Sequence, residues 1–423
     1  MADAHQKTTL GNGLRIVTAH LPDFRSVSVC LFVGAGSRYE ADEVGGISHF
    51  VEHLVFKGTE RYPTSQAISE AIEGVGGVLN GATDREITVY WAKVTKVHFK
   101  LALDLLGDMA RHSRFAPADV DRERQVITEE INMSWDSPRQ RVNMLIDEVQ
   151  WPDQPLGRDV AGSKDTVAGI SREALLDFYR HQYVPGNTVL SVAGDIGHQE
   201  VVAAAGEVFQ GWSPGSPTSW FPAVDSQAAP RFKLENRRTE QAQFCLALPG
   251  LPSRHPSRYA LDLLNVVLGE GMSSRLFLEL REKQGLAYDV HSSVDHYLDA
   301  GALIVYGGVD PVRIEAAIRA SLAELSKLRD GVPEQELIKA KEMAKGRLLL
   351  GLEDTRAVAG WLGAQELLHR EVLSAENVVA RVDAVTPEAV QDVARQLFVP
   401  DRLNLAVLGP YRSPRRFEGV LHF

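Results

Sequence analysis

Cysteine is nearly absent from this chain: two residues, Cys30 and Cys245, in 423. Both sit in apolar, strand-like runs and read as buried thiols, so a disulfide-held scaffold is excluded and a reducing compartment is expected. Long apolar runs are missing as well. Nothing approaches the roughly 20 consecutive apolar residues that a membrane helix needs, so no membrane partner is expected. Basic charge is in deficit. Lys and Arg number 45 against 56 Asp and Glu, a net charge of −11, which argues against nucleic acid and is compatible with basic peptides. The opening stretch, Met1 to Lys7, has no apolar core and no Arg-rich amphipathic character. It reads as neither a signal peptide nor a transit peptide, and the expected location is cytoplasmic, or that of a mature organellar form.

What is present is an ordinary globular composition, 44% hydrophobic and 24% charged. The length suggests about two domains. One stretch stands out: His49-Phe50-Val51-Glu52-His53. Side chains three and four apart share one face of a helix. His49 and His53 can therefore offer two imidazole nitrogens to one divalent ion with Glu52 beside them. This is the H-x-x-E-H order of the inverzincins. Gly45-Gly46 mark a preceding loop, Ser48 is a candidate cap, and Phe50, Leu54 and Val55 form an apolar stripe. A chance match in a chain this long is roughly a one-in-thirty event. The competing reading is a pair of satisfied surface histidines, so the remaining parts of a site must be found.

A catalytic zinc takes three protein ligands and keeps a fourth position open. Glu123 to Ile131 follows Pro117 and Asp119 and reads as a helix start, with Val126, Ile127 and Ile131 as apolar anchors. Glu123 and Glu130 are seven apart, two turns along one face. One carboxylate can ligate while the other orients a histidine. The competing reading is a solvated acidic face.

With these pieces the chain resembles the pitrilysin-type metallopeptidase family, and in particular the β-subunit type of processing peptidase and its short bacterial homologues. The matching stretches are Gly45 to Thr59, Gly76 to Thr83 and Glu123 to Glu130. The resemblance implies Glu130 as third ligand, with Glu129 as fallback and Glu123 as a supporting carboxylate. It implies a second substrate element, Arg281 and Tyr288, after Gly271 to Leu276. Residues Asn80, Gly81 and Ala82 are read as an edge strand to which an extended peptide adds. The family pattern there is Asn-Ala-x-Thr. Here it is Asn80-Gly81-Ala82-Thr83, by a Gly in place of Ala or by a shifted register.

The chain also repeats itself. Ser171 to Arg180 matches Thr386 to Arg395, Val184-Pro185 matches Val399-Pro400, and Cys30 matches Cys245, all at an offset of 215. Two copies of one fold follow. The expected division is a catalytic zinc domain at 1–212, a Pro-, Gly- and Ser-rich linker at 213–230, and a non-catalytic substrate-binding domain at 231–423. Strands such as 14–18 and 27–33 and helices such as 67–75 and 99–112 give an α+β class, each half a mostly antiparallel sheet packed with helices. Carried forward by 215, His49, Glu52 and His53 land on Leu264, Val267 and Leu268, and Glu130 on Lys345. The second half contains no H-x-x-E-H.

The expectation is a zinc endopeptidase acting on extended peptides or unfolded segments, of processing-peptidase or oligopeptidase type. One zinc ion per chain is held by His49, His53 and Glu130, with Glu52 as general base. A homodimer is expected, or pairing with an inactive homologue. The rival from another class is a scaffold subunit that keeps the fold and loses the site.

Overall fold

A computed structural model describes residues 5–417 and 419–422. Its eleven strands form two sheets. The first comprises β1 (His5–Thr9), β2 (Arg15–His20), β3 (Ser26–Val33), β4 (Val78–Thr83), β5 (Thr88–Thr95) and β6 (Thr188–Gly194), in the order β1-β2-β6-β3-β5-β4. The second comprises β7 (Arg231–Asn236), β8 (Ala242–Pro249), β9 (Ala287–His296), β10 (Gly301–Val309) and β11 (Asn404–Gly409), in the order β7-β11-β8-β10-β9. Only β2–β6 and β7–β11 pair in parallel. The rest is antiparallel, and with the flanking helices the class is α+β.

The duplication reappears as register. Cys30 faces Ser191 on β6 and Trp91 on β5. Cys245 faces Ala406 on β11 and Tyr306 on β10, so all three positions shift by 215. Each sheet runs out to a free edge at equivalent strands, β4 in the first and β9 in the second.

The two compact units differ from a cut in the linker by an exchange of segments. One unit holds the residues up to Ile131, Asp159–Phe221 and Leu349–Glu376; the other holds Asn132–Arg158, Pro222–Leu348 and the residues from Asn377 onward. The helix Thr355–His369 packs on the first sheet, burying Val358, Ala359 and Leu362 against Val17, Cys30, Phe32 and Val189. Gly363 permits that approach, since a Cβ there would lie 2.2 Å from the Phe32 ring. The helix Pro138–Gln150 packs on the second sheet, with Val142, Leu145 and Ile146 against Cys245, Ile304 and Ala406. Amphipathic spacing shows that a helix has a face to bury. It does not say which sheet receives it. Among the described residues no helix is long and apolar enough to cross a membrane.

Candidate metal centre

The helix Ile47–Val55 carries the motif. Phe50, Val51, Leu54 and Val55 are fully buried. At roughly 1.5–3 kcal/mol per buried side chain, they fix the rotation of the helix, and His49, Glu52 and His53 are left on the opposite side. Its start differs from the sequence expectation. Ser48 does not cap; its buried hydroxyl has no hydrogen-bond partner. Gly46 is the N-cap at φ 96, a left-handed conformation that favours glycine. The Glu40 carboxylate instead accepts from the Gly46 and Ser48 amides at 2.7 and 2.8 Å. A buried carboxylate on the orphan amides suits both the hydrogen bonding and the dipole of a helix start.

The helix Pro117–Asp136 supplies the other half of the centre. Glu130 Oε2 lies 3.8 Å from His49 Nε2 and 3.5 Å from His53 Nε2. These three residues form the one group of metal-capable side chains among the described residues, their ligand atoms all within 4.8 Å of one another. Ligand atoms about 3.4 Å apart are what a tetrahedral ion with bonds of about 2.1 Å requires. Separations of this size are too long for hydrogen bonds and short enough for a shared ion. The donor set, two imidazoles and a carboxylate, suits zinc. Glu129, the fallback, is exposed and outside the group.

Behind His53, Glu123 accepts from Nδ1 at 3.2 Å and is itself paired with Lys57 at 2.9 Å. An Nδ1 proton committed to Glu123 leaves the Nε2 lone pair facing Glu130, the tautomer a metal needs. Burial, then the neighbouring His53, push the His49 imidazole down to about 4, so it is neutral at physiological pH. Burial would also lower His53, but Glu123, Glu130 and Glu52 outweigh it and raise its pKa. Burial would raise Glu123, yet hydrogen bonds from His53 and Lys57 hold it below the usual carboxylate range.

Glu52 lies beside the centre. Burial raises its pKa, partly offset by a hydrogen bond from the Thr83 hydroxyl at 2.8 Å. Thr83 ends β4, whose pairing with β5 is uninterrupted from Val78 to Thr83, with no bulge at Gly81. A Cβ at Gly81 would lie 3.1 Å from Glu52 Oε1 and 2.9 Å from the Phe56 ring. Asn80, Gly81 and Ala82 lie on this free edge, and the Asn80 side chain accepts from the Gly81 amide.

Arg281 and Tyr288 lie in the other unit. The Arg281 guanidinium stacks on the Tyr288 ring at 5.0 Å and on Phe277 at 4.9 Å. With Arg139, Gln243 and Tyr306 they line a cavity of ≈ 470 Å³.

Sequence reasoning gave no role to Glu40, Lys57 or Thr83. Lys57 had a signal, one helical turn beyond His53. Glu40 had none, because it reaches the helix across a loop.

Two family models match: "Insulinase (Peptidase family M16)" over residues 15–164 and "Peptidase M16 inactive domain" over 169–344. An uncharacterized zinc protease of Streptomyces coelicolor is 38% identical over 417 residues, covering 96% of this chain and 90% of that one. The uncharacterized zinc protease YmxG of Bacillus subtilis is 36% identical over 418 residues, covering 96% and 98%. A crystal structure of a Helicobacter pylori protease has the same fold, with TM-score 0.92 at 24% identity, covering 97% of this chain and 100% of that one. The chain belongs to peptidase family M16.

Proposed function

We propose that this protein is a zinc-dependent endopeptidase with Glu52 as its general base. The observation that carries the reading is the state of His53, whose Nδ1 is committed to Glu123 while its Nε2 faces Glu130 and His49. The names of the zinc protease relatives point the same way.

His49, His53 and Glu130 would hold the ion. Zinc, when bound, polarises the scissile carbonyl and acidifies a water. Glu52 takes a proton from the attacking water as the new C–O bond forms. It returns that proton to the amine nitrogen as the C–N bond breaks, and is again a carboxylate at the end of the cycle. Its raised pKa suits both halves of that exchange. The β4 edge offers unpaired backbone groups to an extended peptide, which is the form an unfolded segment takes. Arg281 and Tyr288 are read as a further substrate contact.

The same reading takes one zinc per chain, peptides as substrates, and pairing with a second copy of the chain, which sedimentation would check. A scaffold role is disfavoured because both histidines, Glu130 and the free Glu52 are all in place. The test is cleavage of an unstructured quenched-fluorescent peptide by the purified chain beside Glu52→Gln, with zinc measured in both. Cleavage that a chelator abolishes, and that Glu52→Gln loses while keeping its zinc, is the expected result. Equal cleavage by Glu52→Gln would remove Glu52 from the mechanism.

A further inference from the structure

We infer that Thr83 is a positioning residue that holds the Glu52 carboxylate in one orientation, with Oε1 left open; the inference rests on the reading of Glu52 as the base. The Thr83 hydroxyl lies 2.8 Å from Glu52 Oε2. An ionised carboxylate only accepts, so Thr83 must donate. Its own lone pairs are then open to a donor, and the Thr88 hydroxyl lies 3.3 Å away, its other neighbour being the Ala35 carbonyl at 3.2 Å. Thr83 and Thr88 are cross-strand partners in the β4–β5 hairpin, and Thr88 is fully buried. The single Thr88 proton is shared between two acceptors, Ala35 and Thr83, so the direction that is fixed is the donation from Thr83 to Glu52, made by a stiff β-branched side chain held against buried Thr88.

The other oxygen, Oε1, has no partner among the described residues and faces the space that the missing side chain of Gly81 leaves open. This asymmetry persists through the proton cycle. A proton arriving on Oε1 leaves Oε2 a carbonyl oxygen that still accepts from Thr83. By donating to Oε2, Thr83 holds the carboxylate in one rotamer and leaves Oε1 open on the side of Gly81.

A second observation supports this. The repeat places β5 and β10 in register at an offset of 215, so Thr88 corresponds to Leu303 and its partner Thr83 to Val294. By the same pairing Gly81 corresponds to Ser292, whose hydroxyl reaches Asn265 at 2.6 Å. Both hydroxyls and the open space are gone from the copy that has no base.

The test compares Thr83→Val, which keeps the shape and loses the hydrogen bond, with Thr83→Ser, which keeps the hydroxyl. Thr83→Val is expected to lower kcat by roughly 10–100-fold, with KM and zinc content unchanged within about twofold, and Thr83→Ser to restore most of it. A second readout needs no activity. In crystals of metal-free Thr83→Val, the Glu52 carboxylate should leave its position or become disordered. Unchanged kcat in Thr83→Val, or a loss that Thr83→Ser does not rescue, would overturn the inference. So would a Glu52 carboxylate that stays within about 0.5 Å in the crystal. Should the wild-type chain show no zinc-dependent cleavage, the proposed function fails, while the crystal comparison still judges the Thr83 contact by itself.

Discussion

The metal corner of the first sheet has a counterpart in the second, and the two differ at every position that bears charge. Contacts and burial place the helix Arg258–Gly269 against β9 as Ile47–Val55 stands against β4. The buried Phe50, Val51, Leu54 and Val55 match the buried Leu263, Leu264, Val267 and Leu268, an offset of 213. Glu52 then corresponds to Asn265, His49 to Asp262 and His53 to Val266. The second long helix shifts by 217, since buried Val120 and Glu123 match buried Leu337 and Ala340. Glu130 corresponds to Arg347, and not to the Lys345 that a uniform offset of 215 gives. Lys57, at the helix offset of 213, corresponds to Glu270, which is the ion-pair partner of Arg347.

The two corners settle their charge in different ways. In the first copy two imidazoles and a carboxylate converge with their ligand atoms within 4.8 Å of one another, as a shared ion would need. In the second a guanidinium stands in that place, already balanced by Glu270. Asn265 closes the network by donating to Glu270 at 2.6 Å and accepting from Ser292. One copy is left with metal-ready lone pairs; the other is satisfied by its own side chains, as buried polar groups ordinarily are.

The largest expected effect comes from making the first corner like the second. Glu130→Arg should abolish zinc retention, measured by metal analysis, and lower peptide cleavage by about 10³-fold or more. Glu123→Gln should be milder, weakening zinc affinity by roughly 10–100-fold in a chelator competition, because it removes the negative charge behind His53 Nδ1 and lets the amide turn its donor to the ring. Glu40→Ala strips the start of the metal helix of two amide acceptors. Charge-assisted hydrogen bonds at roughly 1.5–3 kcal/mol make a Tm lower by several degrees the expected result of a thermal melt.

The smallest effect belongs to the second corner and concerns pH. Asp262, the counterpart of His49, accepts from His296 Nε2 at 2.9 Å, while the Leu251 carbonyl accepts from Nδ1 at 2.6 Å. Both ring nitrogens face acceptors, so the geometry calls for the doubly protonated ring. Burial would lower the His296 pKa, but Asp262 and the carbonyl outweigh it and raise it above 6.5. A raised folded-state pKa gives stability that is present below 6.5 and lost as pH rises through the folded value. His296→Gln should therefore destabilise more at pH 5.5 than at pH 8.5 in denaturant unfolding. An equal loss at both would show that folding leaves the pKa of the ring unchanged.

Much of this was legible in the sequence. The strand repeat at 215 held because a sheet fixes residues by pairing, and a one-residue slip within a strand turns its side chains to the other face. The helix offsets of 213 and 217 were not legible, since loops between elements absorb insertions without trace. His49 and His53 could be paired because helical spacing brings i and i+4 positions onto a face, while spacing left Glu123 and Glu130 both open and the family resemblance singled out Glu130. Glu40 and Thr83 could not be placed, because their contacts with the motif cross a loop and a hairpin end. The segment exchange was hidden for a related reason: the helices Pro138–Gln150 and Thr355–His369 advertise an apolar face, and nothing local names the sheet that receives it.

The most direct test of the account is anomalous diffraction above and below the zinc edge from crystals of the purified, zinc-loaded chain. One peak is expected, among His49 Nε2, His53 Nε2 and Glu130, and none beside Asp262, Asn265 and Arg347. A peak at the second corner, or zinc bound away from His49 and His53, would contradict it.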